Sequence, residues 1–201
     1  MRQLVFAVLA AALGAQSPAP DAVKDVAKVQ EAYHHQEQAK LLPWLQQAIQ
    51  FPTYAGNPKA WMAQKRWLKA RAEDLGFELR DAGAVFEIEL PATLHPRTAP
   101  VLGLVIHGDV QPVEASHWSF PPFAGTVKDG YVIGRGAADD KGPLIQALLA
   151  MKALEDSGLP RTHTIRLLVG SDEESGSQDM TAYLKTHQAP DYSLVLDSAF
   201  P

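Results

Sequence analysis

Apolar residues recur at helical spacing in three segments before residue 77. The first stripe is Ala22, Val26, Val29 and Tyr33, the second is Leu41, Leu42, Leu45 and Ile49, and the third is Trp61, Trp67, Leu68 and Leu75. Residues three and four apart share one face of a helix, so the pattern predicts three amphipathic helices. We expect the second helix to start afresh at Pro43 and to end near Phe51, and Gly76 to cap the third.

Beyond residue 77 the pattern becomes typical of strands. Phe86, Ile88 and Leu90 alternate with Glu87 and Glu89, which predicts a half-buried strand with one solvent-exposed face. Residues 101–106 are apolar except for one glycine, which predicts a central strand buried on both faces. Strand-like runs at 164–169 and 192–196 alternate with helical stretches at 144–154 and 179–186. The alternation predicts an α/β fold: a mainly parallel sheet with helices on both faces.

The first residues indicate export. Met1-Arg2-Gln3 is a short positive start, and residues 4–13 are apolar. A run of this length is too short to cross a bilayer, which takes roughly 20 residues, and small residues follow it as in a secretory signal peptide. We expect cleavage after Gly14 or Ala15, a periplasmic or secreted mature protein, and no stable membrane association after cleavage. A buried N-terminal helix is the alternative.

Composition narrows the classes of function. The chain has 201 residues, of which 46% are hydrophobic and 20% charged, as is ordinary for a globular protein. The net charge is -5 and the basic residues are scattered, so we expect no nucleic-acid partner. There are no cysteines, which excludes disulfides and thiolate zinc sites. His34 and His35 lie among polar residues and are expected on a solvated helix rather than at a metal.

Acidic and imidazole groups follow the ends of the predicted strands. His107-Gly108-Asp109 follows the first, Ser171-Asp172-Glu173-Glu174 the second and Asp197 the third, while the glycine-rich segment 134–142 with Asp139 precedes a helix. The carboxyl ends of parallel strands share one edge of a sheet, so these groups should converge. Clustered carboxylates raise one another's pKa unless a cation is bound. We therefore expect a metal site, with two ions, for which imidazole and carboxylates suit zinc, or manganese or cobalt.

The spacing of these residues also indicates which of them could bind metal and which could act on the ligands or on water. His107 and Asp109 are two residues apart and should point to the same side, so Asp109 can orient the imidazole while His107 binds metal. Glu173 and Glu174 are adjacent and should point in different directions. One can then bind metal while the other acts as a general base.

At these residues the sequence resembles a known family. The segments Val105-Ile106-His107-Gly108-Asp109-Val110, Gly134-Arg135-Gly136-Ala137-Ala138-Asp139-Asp140-Lys141-Gly142-Pro143, Ser171-Asp172-Glu173-Glu174-Ser175-Gly176-Ser177 and Asp197-Ser198-Ala199-Phe200-Pro201 are similar to those of the dinuclear zinc peptidases and amidohydrolases. That family includes β-alanyl dipeptidases, carnosinases, glutamate carboxypeptidases, aminoacylases and acetylornithine deacetylases. The ending Asp197-x-x-Phe200-Pro201 is most similar to the dipeptidase branch.

The resemblance implies a role for each site residue. His107 and Asp197 would bind one metal ion, Asp139 would bridge both ions, and Glu174 would bind the second. Glu173 would be the general base and Asp109 would orient His107. The peptide bond after the bridging aspartate is often cis in this family, so a cis bond is expected between Asp139 and Asp140.

The resemblance also implies a domain organisation. Residues 1–14 would be the signal peptide, 15–40 a linker and helix, and 41–201 the N-terminal part of the catalytic domain. Members of the family continue with a lid or dimerisation domain and a second catalytic half that supplies a further histidine. We therefore expect the chain alone to be inactive and any homodimer to form through that domain. The remaining histidines, His95, His117, His163 and His187, are not expected to substitute.

The expected activity is hydrolysis of dipeptides or short peptides by a water activated between two metal ions. An N-acyl amino acid amidohydrolase is the alternative, and for this chain by itself a non-catalytic metal-binding or interaction module. A metallophosphoesterase is disfavoured, because its Gly-Asp-x-His and Gly-Asn-His-Glu strings are absent.

Overall fold

The computed structural model describes residues 20–197, which form five helices and seven strands. The helices are α1 (Pro20–Gln36), α2 (Leu42–Ile49), α3 (Pro58–Asp74), α4 (Lys141–Asp156) and α5 (Gln178–Tyr183). The strands are β1 (Leu79–Asp81), β2 (Phe86–Leu90), β3 (Val101–His107), β4 (Thr126–Lys128), β5 (Tyr131–Ile133), β6 (Thr164–Gly170) and β7 (Tyr192–Val195). Residues 1–14, the expected signal peptide, lie outside the described residues. Within the described part, no helix has the length and apolar character that crossing a membrane requires.

The first three helices follow the predicted boundaries. Proline has no N–H for the helical ladder, and at Pro43 the chain passes from a π-helical turn, Glu37–Leu41, into a new α-helix. A new α-helix thus starts at Leu42 with Pro43 in its first turn, but the backbone stays helical through this point, so the helix does not start afresh. Asn57 caps the N-terminus of helix α3, and its side chain accepts a hydrogen bond from the Ala60 N–H at 3.3 Å. It is followed by Gly76 at φ +85°, as expected for a glycine cap.

The main sheet has five strands in the order β1-β2-β6-β3-β7. Strand β3 runs parallel to β6 and to β7, whereas β2 is antiparallel to β1 and to β6. The α/β prediction is confirmed, and the sheet is mixed. Strands β1 and β2 are joined by residues 82–85 alone, and so short a connection allows only antiparallel pairing.

Helices cover both faces of this sheet, as expected. On one face, Ile165, Leu167 and Val169 of β6 join the main core with residues of α2, α3 and α4. On the other face, Leu168 packs with Tyr183 of α5. Successive strand residues point to opposite faces, so the apolar run in β6 supplies both layers.

The prediction that β2 has a solvent-exposed face is wrong. Glu87 is 7% exposed and accepts a hydrogen bond from the Tyr183 hydroxyl. Glu89 accepts one from Arg166 Nε at 2.7 Å and lies 3.2 Å from Arg80 Nη1. Since β2 lies inside the sheet and α5 covers this face, the glutamates are buried or half-buried and are compensated by hydrogen bonds and ion pairs.

Strand β3 is central in one respect only. It has a strand on each side, but burial is complete only at Gly103 and at its C-terminal end, where Ile106 and His107 lie. Val101, Leu102, Leu104 and Val105 are half-buried, because the neighbouring strand β7 forms the edge of the sheet and is exposed at every position. The expectation of burial on both faces therefore holds at the end of β3 that carries the candidate site.

Candidate metal centre

Three of the predicted side chains meet at the carboxyl edge of the parallel strands. His107 ends β3, Asp139 lies in the loop before α4, and Asp197 follows β7. One ligand atom from each lies within 4.8 Å of the other two. His107 Nε2 is 2.9 Å from Asp139 Oδ1 and 4.0 Å from Asp197 Oδ2. The expected convergence of strand ends therefore occurs, with groups drawn from three separate segments.

The hydrogen bonding of this group fits a divalent cation. Among the described residues, the buried atoms His107 Nε2 and Asp139 Oδ1 form no hydrogen bond, although they lie 2.9 Å apart. The other ring nitrogen, Nδ1, is 3.1 Å from the Asp109 carbonyl oxygen and 3.4 Å from Asp109 Oδ1. A buried polar atom without a partner costs free energy unless something binds it. Imidazole nitrogen and carboxylate oxygen together suit zinc and its neighbours in the transition series.

Electrostatics also favour a cation at this position. Burial alone would lower the pKa of His107, but the carboxylates of Asp109, Asp140 and Asp139 raise it to about 9. Burial raises the pKa of Asp140 to about 7, against the opposing effect of His107. The pKa of Glu173 is raised by partial burial and by nearby carboxylates, Asp197 first among them. Negative charge is therefore in excess here, as the sequence predicted for a site without its metal.

Asp109 connects the end of β3 to the loop that carries the paired glutamates. Its carboxylate is 2% exposed and accepts backbone N–H groups from Glu173 at 3.2 Å and Glu174 at 3.1 Å. The same carboxylate lies 3.4 Å from His107 Nδ1. Asp109 therefore contacts His107, and its role in orienting the imidazole stays a prediction. It also holds the backbone of the turn Glu173–Ser175, which the sequence did not indicate.

Glu173 and Glu174 point in different directions, as their adjacency suggested. Glu173 Oε2 lies 3.9 Å from His107 Nε2, and its side chain is 47% exposed. The Glu174 carboxylate instead accepts hydrogen bonds from Gln111, from its backbone N–H at 3.1 Å and from its side-chain amide at 2.9 Å. Glu174 therefore lies outside the group of three candidate ligands, and its role as a ligand stays a prediction.

Two charged residues beside Asp139 were missed by the sequence analysis. Asp140 is fully buried and accepts the backbone N–H of His107 at 3.2 Å. The peptide bond between Asp139 and Asp140 is cis, as the resemblance implied. Lys141 is also fully buried, donates to the Ala48 carbonyl at 2.9 Å, and has its pKa lowered by burial to about 7. The available signal was two charged residues directly before an apolar helix.

A cavity of about 230 Å³ opens beside His107. Its lining includes the polar residues Glu173, Ser177 and Asp197 and the apolar residues Val105, Met180 and Val195.

Between residues 20 and 197, no second group of three histidine or acidic side chains comes together as these three candidate ligands do. His34 is exposed and pairs with Glu37 at 3.0 Å.

Similarity to known proteins agrees with this site. Residues 103–199 match peptidase family M20/M25/M40. YtjP of Bacillus subtilis, named as a candidate dipeptidase, is 35% identical over 101 residues, which are 50% of this chain and 22% of YtjP. A candidate dipeptidase of Staphylococcus aureus is 39% identical over 101 residues, which are 50% of this chain and 21% of that protein. The match thus spans about a fifth of the length of these curated relatives.

Solved structures share the fold of this chain. Human carnosine dipeptidase 1 superposes with a TM-score of 0.70 at 20% identity, over 86% of this chain and 41% of that one. The metallo-carboxypeptidase Sso-CP2 of Sulfolobus solfataricus, of the M20 family, superposes with a TM-score of 0.69 at 25% identity, over 79% of this chain and 37% of that one. The first likeness concerns the fold alone. Residues 103–199 are therefore similar to peptidase family M20/M25/M40, whose metallopeptidases use divalent metal ions.

Proposed function

We propose that this protein hydrolyses the peptide bond of dipeptides or short peptides with the help of bound divalent metal ions. The observation that carries the proposal is the meeting of His107, Asp139 and Asp197 within 4.8 Å, inside the segment that matches the peptidase family. The candidate dipeptidases among the relatives favour dipeptides over other amides.

The proposed ligands are divided between two ions, for which zinc is the first choice and manganese or cobalt the substitutes. His107 and Asp197 would bind one ion, Asp139 would bridge, and Glu174 would bind the second after giving up its hydrogen bonds from Gln111. Bound ions supply positive charge that acidifies a water molecule and polarises the scissile carbonyl.

Glu173 is the proposed general base. A base must be free of the metal and accessible to water, and Glu173 lies 3.9 Å from His107 Nε2 with a side chain that is 47% exposed. Burial raises the pKa of Glu173 towards neutral pH, and a carboxylate with a higher pKa is a more effective general base. In this role it takes a proton from the attacking water and delivers it to the leaving amine. Asp109 holds His107 and the Glu173 backbone in position relative to one another through its contacts with both.

The proposal extends to localisation and assembly on sequence grounds. Residues 1–14 would be a signal peptide and the mature protein would be periplasmic or secreted, with any homodimer formed through the family's dimerisation domain. The intact mass of the mature protein from its host tests export. A mass that lacks about the first 14 residues supports it, and a mass that includes Met1 contradicts it.

A substrate panel separates the proposed activity from its alternatives. The protein as its host produces it is loaded with Zn²⁺ or Mn²⁺ and assayed against dipeptides and N-acetylated amino acids, with metal content measured on the same sample. Turnover of dipeptides above that of N-acetylated amino acids, lost on chelation, is the expected result. Preference for N-acetylated amino acids would favour the amidohydrolase alternative. Bound metal without any turnover would favour a non-catalytic module.

A further inference from the structure

The turn between His107 and Asp109 is held by two residues that lie outside the segment matching the peptidase family. The carbonyl oxygen of Gly108 accepts a hydrogen bond from Thr53 Oγ1 at 2.8 Å and another from Gln64 Nε2 at 2.8 Å. The N–H of Gly108 donates to the Gly170 carbonyl at 2.9 Å. Both polar groups of this residue's backbone are therefore engaged, and both lone pairs of the carbonyl are used.

Both donors are buried. Gln64, in α3, has no exposed surface, and Thr53, in the segment after α2, is 4% exposed. Among the described residues, the buried side-chain oxygen of Gln64 has no hydrogen-bond partner. A buried amide stabilises a fold only where its groups are paired. The paired half of the Gln64 amide is Nε2, and its partner is the Gly108 carbonyl at 2.8 Å.

The close approach of Gln64 also explains the glycine at position 108. A Cβ atom there would lie 2.5 Å from Gln64 Nε2 and 3.1 Å from the Trp61 ring. Both distances are too short for a methyl group, so any other residue at 108 would displace the Gln64 amide and press on the Trp61 ring. Gly108 and Gln64 therefore fit one another.

Strand β3 ends at His107, and the Gly108 N–H makes the last hydrogen bond to β6, through the Gly170 carbonyl at 2.9 Å. The Gly108 carbonyl belongs to the peptide unit that leads into Asp109, so holding it fixes the plane of that unit. Asp109 in turn contacts His107 Nδ1 through its carbonyl oxygen at 3.1 Å and its carboxylate at 3.4 Å. Rotation of this peptide would move both contacts.

We propose that Thr53 and Gln64 are positioning residues for the metal centre: by holding the Gly108 carbonyl, they set the orientation in which His107 and Asp109 meet a metal ion. The inference rests on the proposed function, because it takes His107 as a ligand. Groups that orient a ligand from behind typically change metal affinity about 10-fold to 100-fold when they are removed.

The test measures Zn²⁺ affinity by competition with a chromophoric chelator, and the thermal midpoint of the metal-free 201-residue chain. Gln64→Met and Thr53→Val remove one donor each with little change of shape, and Thr53→Ser keeps the hydroxyl. Gln47→Met is the control, because it makes the same substitution as Gln64→Met but removes an exposed hydrogen bond between α2 and α3, from Trp67 Nε1 at 2.8 Å, without touching the turn.

We expect Gln64→Met and Thr53→Val each to weaken Zn²⁺ binding about 10-fold to 100-fold. Thr53→Ser and Gln47→Met should bind like the parent chain, and all four midpoints should stay within a few degrees of it. Parental affinity in both Gln64→Met and Thr53→Val would overturn the inference, as would an equal loss in Gln47→Met. If Gln64→Met does not fold, the contrast between Thr53→Val and Thr53→Ser decides. Failure of the parent chain to bind Zn²⁺ would instead contradict the proposed function.

Discussion

Asp109→Asn tests how the metal centre is held together. The carboxylate of Asp109 accepts the Glu173 N–H at Oδ1, at 3.2 Å, and the Glu174 N–H at Oδ2, at 3.1 Å. Asparagine keeps the shape but replaces one oxygen by an NH₂ group, so one backbone donor will face another donor whichever way the amide turns. The substituted side chain can therefore satisfy only one of the two N–H groups.

The magnitude follows from this count. A hydrogen bond to a charged group contributes about 1.5–3 kcal/mol, and relief from burying a carboxylate offsets part of its loss. We expect a net loss of about 2 kcal/mol in the free energy of unfolding of the metal-free chain. With a urea m-value of about 2 kcal/mol/M, the urea midpoint should fall by about 1 M. Zn²⁺ affinity should fall about 10-fold to 100-fold, since the imidazole loses its carboxylate partner.

Asp191→Asn is the matched control for this substitution. Asp191 Oδ2 accepts the Val101 N–H at 2.7 Å, at the opposite edge of the sheet and in an exposed position. We expect it to cost less than about 1 kcal/mol and to leave Zn²⁺ affinity unchanged. Equal urea midpoints for the two variants, or parental Zn²⁺ affinity in Asp109→Asn, would refute the reasoning.

Three further predictions concern the same site. Glu173→Gln should keep its bound metal but lower turnover of the host-produced protein about 100-fold to 10,000-fold. Asp139→Ala should instead lose its metal, which elemental analysis measures. Metal loss in Glu173→Gln with full metal content in Asp139→Ala would contradict the assigned roles of general base and bridging ligand. With a pKa of about 9, the metal-free His107 imidazole is protonated at pH 7. Zn²⁺ binding at pH 7 should therefore release about one proton, and the Zn²⁺ affinity should increase as pH rises towards 9. Calorimetry in two buffers of different ionisation enthalpy measures the proton release, and a Zn²⁺ affinity that does not change with pH would contradict the prediction. Gly142→Ala should lower the free energy of unfolding in urea by about 1–3 kcal/mol, because the new Cβ would clash with the Ala137 carbonyl oxygen. Gly158→Ala is the control: its Cβ would meet nothing within 4 Å, so it should lose only about 1 kcal/mol, from the positive φ at this position. Equal losses in the two variants would show that the structure at Ala137 shifts to accommodate the Cβ.

The sequence predicted the elements whose pattern is local. Apolar runs at 101–106 and 164–169 correspond to β3 and β6, and the polar groups that follow them lie at one edge of the sheet. That is why His107 and Asp197 could be expected at one edge, because this placement depends on strand direction, which the alternation of strands and helices indicates. The choice of these two residues and of Asp139 as ligands followed from the resemblance.

Features that depend on distant contacts were not predictable in this way. Glu87 alternates like a solvent-facing residue, yet its burial depends on Tyr183, 96 residues away in the chain. The contacts of Thr53 and Gln64 with Gly108 span 55 and 44 residues, and neither donor belongs to a recognisable motif. The hairpin β4–β5 was missed for another reason: Asp129-Gly130 is a strong local turn signal, but its strands have only three residues each.

The most direct test of the account is the position of a bound metal ion in a crystal of the 201-residue chain grown with Zn²⁺. Anomalous diffraction at the zinc edge locates the ion without assumptions about its ligands. The account predicts a peak about 2.0–2.2 Å from His107 Nε2 and from carboxylate oxygens of Asp139 and Asp197. A zinc peak bound elsewhere, with His107 Nε2 making no bond to it, would contradict the claim that these three residues form the metal centre.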